Sequence, residues 1–160
     1  MRLLKRSAGT CLFHLGEEEK GLLLEVIGLY PVLEPSFQPL SKSSDPARRK
    51  ADQRLLEEAL ASQKEENAQT IRKTFGEGKC FSKSGPAWRM ALTDAQAETL
   101  LQVLNDIRVG SWQNLGCPDP EQERRLHGTK ATRRSLFLME ISAFFQTNLL
   151  RALDHDAGAD

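Results

Sequence analysis

The sequence predicts a mainly α fold, a helical bundle of four to five helices with a small two-stranded β element formed by two strand-helix units. Three observations predict it. Leucine supplies 24 of the 160 residues against four isoleucines and four valines, and a core poor in β-branched side chains favours helices. Most of the apolar residues recur at helical spacing. Strand-like patterning is confined to two short stretches, near 12–15 and 88–92.

The elements follow in order. Leu12, Phe13, His14 and Leu15 form an apolar run after a glycine-containing turn and read as a strand. From Glu17 the period changes, and Leu22, Leu23, Val26, Ile27 and Tyr30 share one helical face, with Glu17, Glu18 and Glu19 where the helix dipole favours anions. Pro31 ends that helix and opens a Pro/Ser-rich linker over 31–45. Asp45-Pro46 reads as an N-cap followed by proline at the first helical position. The charged helix it opens runs to about Phe75, and its narrow stripe of Leu56, Leu60, Gln63, Asn67, Ile71 and Phe75 marks it as peripheral.

Gly76, Gly78, Gly85 and Pro86 read as loop, and Trp88 to Leu92 as the second strand. Thr93 and Gln96 have capping-box spacing, and the following helix places Ala97, Leu100, Leu101, Val103, Leu104 and Ile107 on one face. Leu115-Gly116-Cys117-Pro118 stops it. A basic connection follows, with a helical turn expected at Pro120. The last helix, 132–153, is the most apolar: Phe137, Leu138, Ile141, Phe144, Phe145, Leu149 and Leu153 cover one side, and Leu136, Met139 and Leu150 extend round the back. Only Glu140, Thr147 and Arg151 form a polar strip. A helix of this kind is expected at the centre of the fold or at a dimer seam.

The two strand-helix units share phase at an offset of 77 residues. Phe13 and Leu15 fall on Met90 and Leu92, and Leu23, Val26, Ile27 and Tyr30 on Leu100, Val103, Leu104 and Ile107. Two such strands are expected to pair, because a lone strand leaves its backbone groups without partners.

Composition excludes several function classes. The 22 basic and 22 acidic side chains cancel, so no whole-chain field draws nucleic acid or an anionic membrane. No run approaches the roughly 18 apolar residues of a membrane span. Cys11, Cys80 and Cys117 are odd in number and lack metal or disulfide spacing, which points to a reducing, cytoplasmic setting. The basic start, Met1 to Arg6, has no apolar run of secretory length behind it. The chain is therefore expected to be a single helical domain over 1–160, with an acidic tail at 154–160 that frays.

No residue pattern reaches the standard of a catalytic, cofactor or metal signature. His14, His127 and His155 have no companion at metal spacing. Gly76-Glu77-Gly78-Lys79 lacks the upstream glycine of a phosphate loop, and Cys80 stands where serine or threonine belongs. Four residues are singled out on the last two long helices. Asn105, Asp106 and Arg108 border an apolar face, as a structural ion pair and packing clamp or as a contact to a ligand or partner. Asn148 lies within the apolar arc of the final helix, as a buried polar group that fixes packing or as a notch for a partner. Basic residues Arg48, Arg49, Arg124, Arg125, Arg133 and Arg134, with Arg2, Lys5, Arg6, Lys50, Arg54 and Lys130, would form a phosphate-binding patch if they shared a face. They lack interleaved aromatic residues, and acidic runs offset them.

The segment Leu92-Thr93-Asp94-Ala95-Gln96-Ala97 leading into Leu104-Asn105-Asp106-Ile107-Arg108, with the closing Phe144-Phe145-Gln146-Thr147-Asn148-Leu149-Leu150-Arg151-Ala152-Leu153, resembles an uncharacterised family of small bacterial helical proteins, a domain of unknown function. Its members carry an Asn-Asp-Leu-Arg type helix before a C-terminal amphipathic helix, and some are encoded beside the ClpS adaptor. The resemblance covers the first 33 and the last 75 residues and departs at Ile107, where leucine is usual, in the 31–45 segment and in the basic 121–134 connection. It implies the helical fold and brings no catalytic residues. The resulting expectation is a noncatalytic protein that binds a protein partner or a second copy of itself. Alternatives are a nucleic-acid-associated accessory protein and a small enzyme with a dispersed polar site near Asn105, Arg108 and Asn148.

Overall fold

The computed structural model describes residues 1–32, 46–76, 78–126 and 128–154. Strands β1 (Arg2–Ser7) and β2 (Thr10–Leu15) form a hairpin that leads into α1 (Glu17–Ile27). The long α2 (Pro46–Phe75) precedes a second hairpin, β3 (Phe81–Ser84) and β4 (Ala87–Thr93), which leads into α3 (Asp94–Asn114). A short α4 (Pro120–Arg125) and the final α5 (Lys130–Asp154) complete the order. Most of the 31–45 linker, the Asp45 cap, His127 and the tail beyond Asp154 lie outside the described residues.

The β element is larger than the two-stranded ribbon expected from sequence. It is a four-stranded antiparallel sheet in the order β1-β2-β4-β3, because each predicted strand is the inner half of a hairpin. The outer strands escape a pattern search for a physical reason. Arg2–Ser7 buries no residue, and Phe81–Ser84 is equally without a buried side chain, so neither alternates between core and solvent. Edge strands are commonly short, charged or bulged, which blocks pairing with other chains. A register irregularity between Leu3 and Lys5 in β1 leaves Leu4 exposed.

Both hairpins turn through residues with positive φ. Ala8 and Gly9 (φ 50° and 73°) close the first and Gly85 (φ 62°) the second. The inner strands pair so that Cys11, Phe13 and Leu15 on β2 and Met90 and Leu92 on β4 share one face, all fully buried. Leu12, His14, Arg89 and Ala91 take the more open face.

Helices α1, α3 and α5 cover the buried face. Leu23 and Val26 of α1, Leu100, Val103, Leu104 and Ile107 of α3, and Phe145 and Leu149 of α5 are each fully buried. At ~2 kcal/mol per buried large apolar side chain, this layer is the main stabilising contribution. The Thr93 capping box forms: the Gln96 amide donates to Thr93 Oγ1 (3.2 Å) and the Thr93 amide to Gln96 Oε1 (2.9 Å). α2 meets α3 through its C-terminal half, where Asn67, Ala68, Ile71, Thr74 and Phe75 are buried. Leu55, Leu56 and Leu60 stay exposed, which accounts for the interrupted stripe.

The final helix departs from expectation in the position of its buried face. Leu138, Ser142, Phe145, Gln146, Leu149 and Ala152 point inward, whereas Phe137, Phe144 and Leu150 are exposed at 43%, 42% and 46%. α5 is therefore central on one side and apolar toward solvent on the other.

Candidate functional site

The helices α3 and α5 run antiparallel, and their outward faces enclose two grooves joined at Arg108 and Ala143. One, about 460 Å³, is lined by Leu101, Gln102, Asn105 and Arg108 of α3 and by Ala143, Gln146, Thr147 and Leu150 of α5. The other, about 530 Å³, continues past Arg108 to Val109 and Trp112 on one wall and Met139 and Glu140 on the other, with Glu123 of α4 at its rim. Each wall follows the helical repeat. Leu101, Gln102, Asn105, Arg108, Val109 and Trp112 step at i, i+1, i+4, i+7, i+8 and i+11, and Met139, Glu140, Ala143, Gln146, Thr147 and Leu150 repeat that spacing. The 11-residue step from Leu101 to Trp112 spans roughly 16 Å.

Polarity changes along this trough. Its ends are apolar, with Leu101 and Leu150 at one and Val109, Trp112 and Met139 at the other. Its middle carries Gln102, Asn105, Arg108, Gln146 and Thr147. The Arg108 side chain is exposed and makes no hydrogen bond or ion pair among the described residues, and the side chains of the half-buried Glu123 and the exposed Glu140 likewise make none. Trp112, 37% exposed, is anchored by its indole N–H, which donates to the Pro118 carbonyl at 2.9 Å.

Of the four residues singled out from sequence, Asn105 and Arg108 line the trough, and Asp106 and Asn148 do not. Asp106 Oδ2 accepts from the Tyr30 hydroxyl (3.2 Å), which ties α3 to the end of α1. Asn148 Nδ2 donates to the Phe144 carbonyl one turn earlier (2.8 Å). Ser111 of α3 and Ser142 of α5 are buried, as is Gln146 in the trough wall. Val109 and Trp112 escaped the sequence reading because they sit outside the apolar stripe that defines α3, with Trp112 beside its Leu101 edge. Their signal is the second, narrower stripe that starts at Leu101.

The basic residues take different local settings. Arg48 is exposed on the first turn of α2, and the side chain of Arg49 lies outside the described residues. Arg125 pairs with Glu121, and Arg124 Nε donates to the Pro120 carbonyl. Arg133 and Arg134 are exposed on the first turns of α5. Arg6 is turned inward: Nη1 donates to the Leu153 carbonyl (2.5 Å) and Nη2 meets Asp94 Oδ1 at 3.3 Å.

Among the described residues no group of three or more His, Cys, Asp or Glu is placed to hold a metal ion, and no helix is long and apolar enough to cross a membrane. Among the described residues the three cysteines form no disulfide, with Cys11 buried, Cys80 half-buried and Cys117 exposed. Burial pushes the Cys80 thiol up to about 11, so it is held as the unreactive thiol.

Comparison with family models matches residues 30–153 to a domain of unknown function, DUF2017. The match takes in the middle of the chain as well as its C-terminal part, and leaves β1, β2 and α1 outside it. No curated protein and no solved structure matches the chain.

Proposed function

Since this chain belongs to the DUF2017 family, whose function is unknown, we propose that it is a noncatalytic protein-binding domain whose α3–α5 trough receives one helix of a partner protein. The observation that supports this reading is the pair of matched helical walls open to solvent, apolar at both ends and carrying the unpaired Arg108 at the centre. A helix laid between two others gains from apolar anchors about three turns apart, the mode by which amphipathic helices fill grooves. The trough fixes what such a helix presents: an apolar side chain toward Leu101 and Leu150, another toward Trp112 and Met139, and a carboxylate between them for Arg108. A basic residue on its Trp112 side would meet Glu123 and Glu140. Charge complementarity of this sort sets orientation and partner choice more than affinity.

Selection of helical peptides from a displayed library tests the reading. Enriched sequences should carry two apolar positions about eleven residues apart with an acid between them. Their binding should be lost in Ala143→Trp, which fills the floor, and should shift to basic-centred peptides in Arg108→Glu. Enriched peptides without that pattern, or peptides indifferent to Ala143→Trp, would overturn it.

A further inference from the structure

We propose that a second site, the cleft where the ends of α1 and α3 meet the start of α5, binds an anion attached to an apolar body, such as a medium-chain carboxylate. The cleft encloses about 780 Å³, within the range of small-molecule sites. Leu29, Pro31, Val32, Leu115, Ala131 and Leu138 supply its apolar wall. Lys130 and Arg134, one helical turn apart, both line it, and Ser135 and Asn114 add hydrogen-bonding groups. Among the described residues no acidic side chain contributes to its lining.

Neither cation is committed elsewhere among the described residues. The side chains of Lys130 and Arg134 make no hydrogen bond or ion pair among the described residues, unlike those of Arg6, Arg54, Arg72 and Arg125, each held by a carboxylate. Two like charges beside a low-dielectric wall concentrate positive potential in the cleft. The apolar wall gains only if the anion brings apolar surface with it. A bare inorganic anion satisfies half of the site, and an aliphatic alcohol the other half. The carboxylate–guanidinium geometry favours a planar, bidentate head against Arg134.

Calorimetric titration of the full chain with octanoate, acetate and octan-1-ol at low salt tests this assignment. Octanoate should bind saturably at one site per chain, and acetate and octan-1-ol at least about tenfold more weakly. The double variant Lys130→Ala, Arg134→Ala should weaken octanoate by about tenfold or more. Ala131→Phe, which keeps both charges and fills the cleft, should block it as well. If the two cations serve only the carbonyl ends of α1 and α3, octanoate will show no saturable binding. That outcome, or equal binding by the wild type and both variants, overturns the assignment and leaves the α3–α5 trough untouched.

Discussion

Phe13 and Met90 stand directly opposite each other across the β2–β4 pairing, both fully buried, and their numbers differ by the 77 residues that separate the two hairpin-helix units. The neighbouring pairs complete the pattern. Cys11 faces Leu92 and Leu15 faces Trp88, so the partner of Cys11 is the counterpart of Leu15 and the reverse. An antiparallel register centred on two equivalent residues is that of a two-fold relation between the units. The Phe13–Met90 contact lies where that relation places its axis.

Removing this contact has a defined cost. Phe13→Ala should destabilise the fold by about 3–5 kcal/mol and Met90→Ala by about 2–5 kcal/mol, through lost burial and the cavity left behind. The exchange Phe13→Met with Met90→Phe conserves their joint volume, so it should cost less than the sum of the two single changes. Denaturant midpoints for the four proteins decide it. Additive single effects would show that the two side chains do not share one space.

The turn before β2 holds a residue that suits it poorly. Ala8 has φ 50° and precedes Gly9 at φ 73°, the two-residue turn in which Asn-Gly is preferred. A left-handed alanine costs roughly 1 kcal/mol that asparagine largely avoids. Ala8→Asn should therefore raise stability by about 0.5–1 kcal/mol, read as a higher thermal midpoint. An unchanged or lower midpoint contradicts this account of the turn.

Arg6 links three elements. From β1 it reaches the last carbonyls of α5 and the first acid of α3, at 2.5 Å from the Leu153 oxygen and 3.3 Å from Asp94. Arg6→Ala should cost roughly 1.5–3 kcal/mol, the range for hydrogen bonds to a charged donor. Arg6→Lys should recover only part, since an ammonium cannot span both partners with a planar fork. Hydrogen exchange should show α5 fraying first from its C-terminal turn in the alanine variant. A loss spread evenly over α5 would remove the clamp as the cause.

What the sequence disclosed tracks which residues bear a periodic burial signal. α1, α3, α5 and the inner strands were legible because Leu23, Val103, Phe145, Phe13 and Met90 are buried in register with their element's period. The outer strands were not, because Leu4, Lys5, Ser82 and Lys83 face solvent and leave no alternation. The trough was half legible. Asn105 and Arg108 stood out as polar residues bordering an apolar face, whereas Trp112 became meaningful only once α4 and α5 were seen beside it. Asn148 stood out as an amide within an apolar arc, and it is satisfied on its own helix by its bond to the Phe144 carbonyl.

The Glu17–Trp88 bond gives a pH dependence at the acid end. The Trp88 indole N–H donates to Glu17 Oε2 at 2.8 Å, and this bond, with the nearby Lys83 and Lys20 ammonium groups, holds the Glu17 carboxyl below its usual range. A lowered carboxyl contributes stability above its unfolded value of 4.5 that is lost as pH falls through the lower folded value. In a Trp112→Phe background, Trp88 emission should change below pH 4.5, and Glu17→Gln should abolish the transition. Persistence of the transition in Glu17→Gln would assign it to another group.

Tyr30 offers the mirror case at the basic end and is the chain's one tyrosine, so tyrosinate absorbance reports it alone. Burial, then the Asp106 carboxylate beside it, raises its hydroxyl from 10.0 to about 12. The folded state therefore favours the neutral phenol. Its contribution is fully present below pH 10 and is lost as pH rises toward 12. Absorbance titration of the folded chain should show ionisation delayed beyond that of the urea-unfolded chain. Asp106→Asn should bring the two curves closer while keeping the contact between α1 and α3, because it removes the charge and leaves the burial. If Asp106→Asn leaves the folded curve in place, burial alone sets the shift, and if the wild-type curves coincide, the phenol is not enclosed at the α1–α3 junction as described.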